Sequence, residues 1–341
     1  MKAYRLAVAV LAAVIAVGSW VTVGSGQQQL PSVSSQLPGA PLSAQGEAVY
    51  AAVEGWGPNK DGDNVIMIGY YNRNRDQVLD IPVGPNNRVE PGGPDMGQPT
   101  HFEPGRHYGV FGIKVPKDFG NKKLTWTLIA NGHTASVQLG LNPQYWVDFY
   151  KNPSTGNTPP VIKMSPTGAE FVGPPVAIAA TYTAAVNQPF ELKAWVSDKP
   201  ATYDPEEGLP ASARSARGRG GDAAAAARGG ARGRGPATPP NFDVSAAATP
   251  LRRDQGEGGP RPDIQLAWKL HRGPAAIKVA DPIIRMNNQG DINKVHEAKT
   301  TVTFSAPGEY VLRGQANDET GNGGGGDLCC WTDVHVKVTV K

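Results

Sequence analysis

Alternation at period two runs through most of the chain. In KTTVTFSAPGEYVLRGQAND, residues 299–318, Thr301 and Thr303 alternate with Val302 and Phe304, and Pro307 and Gly308 then break the run. After the break, Tyr310, Leu312, Gly314 and Ala316 fall on one face, with Glu309, Val311, Arg313 and Gln315 on the other. Successive strand side chains point to opposite faces and Pro-Gly suits a turn, so the stretch predicts strand, tight turn, strand. Neighbouring segments agree. Ile264, Leu266, Trp268 and Leu270 make one inner face, Phe190, Leu192, Ala194 and Val196 another. Val334, Val336, Val338 and Val340 alternate with Asp333, His335, Lys337 and Thr339, the pattern of a half-buried final strand. Tyr310, at a strand start just after a turn, is placed for a tyrosine corner, its ring buried and its hydroxyl bonded to backbone upstream. Trp268 and Tyr310 are the expected core residues of this half.

The same reading extends upstream. AVYAAVEGW and NVIMIGYYNRN read as strands joined by the turn-rich GPNKDGDN. Val65 to Tyr70 is apolar on both faces, which predicts a central strand. VLDIPVG predicts a short third strand, and Pro82, Pro85, Pro91 and Pro94 mark an irregular loop to about Gly105. HYGVFGIKV, KLTWTLIA and HTASVQL follow as strands, with Asn131-Gly132 as a hairpin turn, and the segment ends at PQYWVDFY. The expectation is all-β: two immunoglobulin-like sandwiches, over 46–151 and 176–341, joined by a Pro-rich linker at 152–175. In the second, the Tyr310 hairpin supplies the fifth and sixth strands.

LAWKLHRGPAAIKV, TTVTFSAPGEYVLRGQAND and DVHVKVTV, taken together, resemble a PKD-like, immunoglobulin-type β-sandwich of cell-surface and secreted proteins. A strand Trp, a Gly-Pro hairpin, a turn-flanked strand pair and a Val-rich last strand recur there in this order. The resemblance covers about the last half of the chain. It implies fold rather than function, since such folds host many unrelated roles. GYYNRNRDQVLDIPVGPNN, with GQPTHF and GRHYGVF, resembles a region of uncharacterised secreted bacterial proteins and implies only that setting.

Composition adds compartment. Lys2 and Arg5 precede an apolar run from Leu6 to Val23, followed by Gly24, Ser25 and Gly26, which reads as a secretory signal over 1–26 with a polar leader at 27–45. The run is close to spanning length, so an uncleaved anchor is the alternative and would be the one link to a membrane. Net charge is +3, but residues 211–235 carry six Arg and one Asp. That segment lies in a low-complexity insertion, 200–262, expected to be disordered. It lacks the interleaved aromatics that stack bases, which argues against nucleic acid.

Candidate chemistry is sparse. Cys329 and Cys330 are the only cysteines, and adjacent Cα atoms about 3.8 Å apart sit below the usual disulfide range. A strained vicinal disulfide, two thiols, or an intermolecular bridge remain open. Asp198 and Asp318 are expected to end strands at one pole, where Asp327 and the glycine loop also fall. These three are candidate calcium ligands, as are Asp61 and Asp63, set against the simpler reading of turn and strand-end carboxylates. His101, His107 and His133 lack zinc spacing, and no G-x-S-x-G elbow or His-Glu-x-x-His stands in the chain. No cofactor is expected. Trp56, Tyr70, Tyr71, Trp146, Tyr150 and Trp195 could form a sugar-stacking platform if exposed, or pack between domains if not. The sequence therefore predicts a secreted or periplasmic, non-enzymatic protein for adhesion, scaffolding or ligand binding, its partner an envelope glycan or another protein. A carbohydrate-binding accessory protein and a hydrolase are the alternatives.

Overall fold

A computed structural model describes residues 42–152, 156–198, 264–289, 291, 293–318 and 331–341. The signal segment, nearly all of the leader, the 200–262 insertion, Asp327, Cys329 and Cys330 lie outside the described residues. Ser43–Lys341 form a single unit. The described chain is all-β, with seventeen strands and one 3₁₀ turn, Pro143–Tyr145.

The first sandwich holds β1 (Val49–Pro58), β2 (Asn64–Asn72), β3 (Leu79–Asp80), β4 (Asn87–Glu90), β5 (His101–Phe102), β6 (Gly105–Val115), β7 (Leu124–Ala130) and β8 (His133–Leu139). One sheet runs β1-β2-β6, the other β4-β7-β8, and β3 pairs with β5 as a small ribbon. Asn131 and Gly132, at φ 50° and 78°, turn β7 into β8 in the mirror-image geometry that hairpins favour. Ile66, Ile68 and Tyr70 from β2 meet Phe111, Trp126 and Leu128 in the core. β2 is central, as its two apolar faces predict. Its second face, Val65 and Met67, packs against Phe149 and against Trp331 of the second sandwich. VLDIPVG forms a strand only at Leu79–Asp80, and the segment expected to be irregular contains β4 and β5. Four prolines between 82 and 94 hide these short strands, whose partners β7 and β3 fix them from elsewhere.

The second sandwich holds β9 (Val161–Lys163), β10 (Ile178–Ala184), β11 (Phe190–Ser197), β12 (Ile264–Arg272), β13 (Ile277–Val279), β14 (Ile283–Met286), β15 (His296–Phe304), β16 (Gly308–Asp318) and β17 (Trp331–Val340). The sheets run β10-β17-β16-β12-β14 and β13-β15-β11-β9, with β10 parallel to β17. This is the strand order of an immunoglobulin-like sandwich. Three expectations need correction. β9 pairs with β11, so the second sandwich opens inside the Pro-rich linker and not at Val176. The strand after the Gly273-Pro274 turn does not form a simple hairpin with β12. Pro282 interrupts it, sending β13 to β15 and β14 to β12. The Tyr310 hairpin is accordingly the seventh and eighth of nine strands. Tyr310 is fully buried, and its hydroxyl donates to the Ala306 carbonyl at 2.9 Å, closing a tyrosine corner.

Candidate functional site

The densest polar structure in the described residues is the seam where the β1-β2-β6 sheet meets the outer face of β12, β16 and β17. Alternation puts Arg313, Gln315, Asp333 and His335 on the face of their strands opposite the valine core. Read alone, that face belongs in water. Here all four are buried, because the first sandwich covers them.

Arg313 and Asp333 form a two-pronged ion pair, Nε to Oδ1 at 3.0 Å and Nη2 to Oδ2 at 3.2 Å. The Arg313 Nη2 also donates to the Tyr108 carbonyl on β6 at 2.5 Å, and Gln315 donates to Asp333 at 3.4 Å. Burial pushes the Asp333 carboxyl up to about 6 despite the guanidinium beside it. Within the facing β1-β2-β6 sheet, Arg106 on β6 meets Glu54 on β1 at 2.6 Å, and burial raises the Glu54 carboxyl while Arg106 pulls it back.

Three of the chain's six histidines are buried in or beside this seam. His335 Nε2 lies 3.1 Å from the Val110 carbonyl, His271 Nε2 2.9 Å from Gly97 and His107 Nε2 3.1 Å from Pro104. A carbonyl only accepts, so each Nε2 carries a proton, and the lowered pKa of each ring leaves it neutral with a bare Nδ1. His271 and His335 lie ring to ring, centroids 4.1 Å apart, and His107 stacks on Tyr70 at 4.6 Å. Burial first, then Lys269, pushes His107 down to about 3; burial and Arg313 do the same to His335. His271 falls well below its ordinary value through burial and the neighbouring His335.

The rim carries further pairs. Arg272 grips Asp95 with two bonds, at 2.9 and 2.8 Å, and donates to the Gln98 carbonyl at 2.7 Å. Thr100 donates its backbone N–H to the His271 carbonyl at 3.0 Å, and Lys269 pairs with Glu103. Gly109, at φ 55°, lets the Trp331 indole lie against β6 where any side chain would collide. The seam thus joins apolar packing at Trp331 to paired charges and directed hydrogen bonds.

The residues singled out from sequence are dispersed. Trp268, 2 % exposed, and Tyr310 sit in the second core. Asp198 and Asp318 are both buried, just past the end of β11 and at the end of β16, and Asn157 donates to Asp318. Among the described residues, no three His, Cys, Asp or Glu side chains gather as a metal group. Asp61 and Asp63 both pair with Lys114 on an exposed hairpin. His101 pairs with Asp80 at 2.7 Å, and His133 is exposed on β8. Of the aromatics, Tyr70 is buried, while Trp56, Tyr71, Tyr150 and Trp195 are half-buried. Tyr145, 53 % exposed, and Trp146, 51 % exposed, stand together beside the edge of β1. Gly55 has no Cβ, and one placed there would come within 2.8 Å of Val147, so this segment can lie close on the strand. Sequence reasoning did not single out Arg313, Asp333, His271, His335 or Glu103 as a group, since their alternation alone reads as solvent-facing.

No family model matches the chain, and no curated protein matches it. Among solved structures, the D00-D0 domain of Intimin is similar over 86 % of this chain and 100 % of that one, at 10 % identity and a TM-score of 0.23. At that score the likeness carries no argument.

Proposed function

We propose that the chain is a non-enzymatic, secreted or envelope-exposed scaffold and binding protein whose two sandwiches act as one stiff unit. The observation that carries this reading is the seam: its buried charges are spent on one another and on backbone carbonyls across the junction, as in Arg313–Asp333–Tyr108. Groups held in this way position two domains: parting the sandwiches would take the Tyr108 carbonyl from the buried Arg313 and leave a charged donor without it, so relative motion at the seam is disfavoured. The export setting is supported by the apolar segment from Leu6 to Val23 after Lys2 and Arg5. An immunoglobulin-like second sandwich is supported by the Tyr310 corner and the strand order. The test is a screen of the purified chain against polysaccharides, lipopolysaccharide and cell-envelope preparations at two salt concentrations, with product release followed in parallel. Saturable binding without turnover is the expected result; turnover of any polymer overturns the reading.

A second reading, a carbohydrate-binding accessory protein, is favoured by one feature. Tyr145 and Trp146 expose adjacent rings at a sheet edge, and sugars stack on such faces. Trp146→Ala and Tyr145→Ala would then abolish polysaccharide binding without altering the melting temperature. Binding unchanged in both variants excludes it.

A further inference from the structure

A second feature of the junction lies at its rim, where β12 loses a neighbour. β14 pairs with β12 only from Ile264 to Ala267, and β13 crosses to β15 in the other sheet. The Trp268 backbone N–H still donates to the Pro282 carbonyl at 2.9 Å, and among the described residues Lys269 and Leu270 then have no strand paired on that side. A cleft of about 230 Å³ occupies the gap, walled by Leu270, Ile277 and Val279 and rimmed by Lys269, Glu103 and His101. The last two come from the first sandwich, so the cleft exists only because the sandwiches are joined. Its volume lies below the roughly 300–1,000 Å³ of sites for drug-sized molecules, which limits the occupant to a small one.

The unfilled hydrogen-bonding capacity here is on the donor side. Trp268 lines the cleft, and its buried Nε1 has no hydrogen-bond partner. The benzo edge of the indole, Cε3, Cζ3 and Cη2, packs over Gly314 of β16. The pyrrole edge with Nε1–H lies on the far side of the indole from that contact. Leaving a buried donor unmatched costs about 1–3 kcal/mol, which an acceptor in the cleft recovers. Lys269 has three N–H donors, with one carboxylate as its partner. The local acceptors are already engaged, Glu103 by Lys269 and Asp80 by His101. Burial works against the Glu103 carboxylate, yet Lys269 beside it holds it below the usual range, so it stays an anion paired with Lys269.

We infer that this cleft binds a small molecule with an apolar body and one hydrogen-bond-accepting head, a carboxylate above all, the body against Ile277 and Val279 and the head toward Trp268 Nε1 and Lys269. The inference stands apart from the scaffold reading, since neither surface adhesion nor glycan stacking uses these residues. The test uses the ¹⁵N-labelled full chain, whose seven tryptophans give seven indole N–H signals, with Trp268→Phe assigning the relevant one. Phenylacetate and hexanoate are titrated beside benzyl alcohol and phenethylamine. The expected result is a saturable shift of the Trp268 indole signal with the two carboxylates, about tenfold weaker binding of the alcohol, and none of the amine. Lys269→Met should remove the advantage of the carboxylates over the alcohol, with an unchanged melting temperature showing that the variant is folded. Ile277→Trp, with Val279→Phe as a milder filler, should abolish binding of all of them. No Trp268 shift with any probe up to its solubility limit, or carboxylate binding unchanged in both filled variants, overturns the inference.

Discussion

The buried histidines make the junction acid-labile in a calculable window. A histidine whose folded pKa lies below its unfolded value favours folding only while neutral. Its contribution is complete above about 6.5 and is lost as pH falls toward the folded value. For His107 and His335, both pushed down to about 3, the loss between pH 8 and pH 5 is the full gap from 6.5 to 5. That is about 1.5 units at 1.36 kcal/mol each, or about 2 kcal/mol per ring. Asp333 works in the opposite sense. Its carboxyl is raised to about 6, so the folded state takes up its proton first and recovers about 1.4 kcal/mol over the same range. The net loss from these three groups is about 3 kcal/mol, and His271 adds to it in the same direction. For a chain of this size the melting temperature should fall by roughly 5–10 °C from pH 8 to pH 5. Ordinary surface carboxylates contribute little in that window, because they titrate below it. Scanning calorimetry across the range measures the slope. The triple variant His107→Gln, His271→Gln, His335→Gln keeps a donor for each carbonyl and removes the titrating rings, so it should be less stable at pH 8 but flat or slightly rising toward pH 5. A wild-type profile flat between pH 8 and 5, or the full slope surviving in the triple variant, refutes the reasoning.

Three further outcomes are open to urea denaturation. Arg313→Met leaves Asp333 charged and unpaired in the seam and should cost about 3–5 kcal/mol, whereas Arg313→Met with Asp333→Leu should return to wild type or better; equal losses in single and double variants would show that the pair is not the cause. Tyr310→Phe removes the corner bond to Ala306 and should cost about 0.5–1.5 kcal/mol, and a neutral result would mean the ring alone makes the corner. Gly314→Ala would place a methyl 2.8 Å from the Trp268 ring and should cost about 1–3 kcal/mol; a stabilised variant would contradict the packing.

The all-β class, the central place of β2 and the strands flanking Tyr310 were legible because alternation records which face is buried. Alternation does not record what buries the other face. Val65 and Met67 announce a second apolar face of β2, but nothing local says that Trp331 covers it. The limitation is sharper for Arg313, Gln315, Asp333 and His335. Polar residues at every second position look the same whether they face water or a partner sheet that answers them group for group. The path of β13 and β14 was obscured differently. AIKVADPIIRM reads as one apolar run, and the Pro282 inside it is the signal that the run divides between two sheets. That division opens the gap beside Trp268, so one proline separates a closed sheet from a cleft.

The same groups explain why the junction is specific rather than merely sticky. An apolar face could slide over its partner with little change in buried area, since the hydrophobic effect is non-directional. The contacts at Trp331, Val65 and Met67 are of this kind. Arg313 to Tyr108, His335 to Val110, His271 to Gly97 and Thr100 to His271 are directional, and each joins a residue of one sandwich to a backbone group of the other. A slip of one residue along β6 would carry the Tyr108 and Val110 carbonyls to the opposite side of the strand and leave Arg313 and His335 buried without them. The cost of such orphans, about 1–3 kcal/mol for each neutral group and more for the guanidinium, exceeds what sliding could recover. Register at the seam is therefore set by polar groups, and stability by the apolar ones beside them. The Tyr145–Trp146 rings and the cleft beside Trp268 consequently hold fixed positions relative to one another.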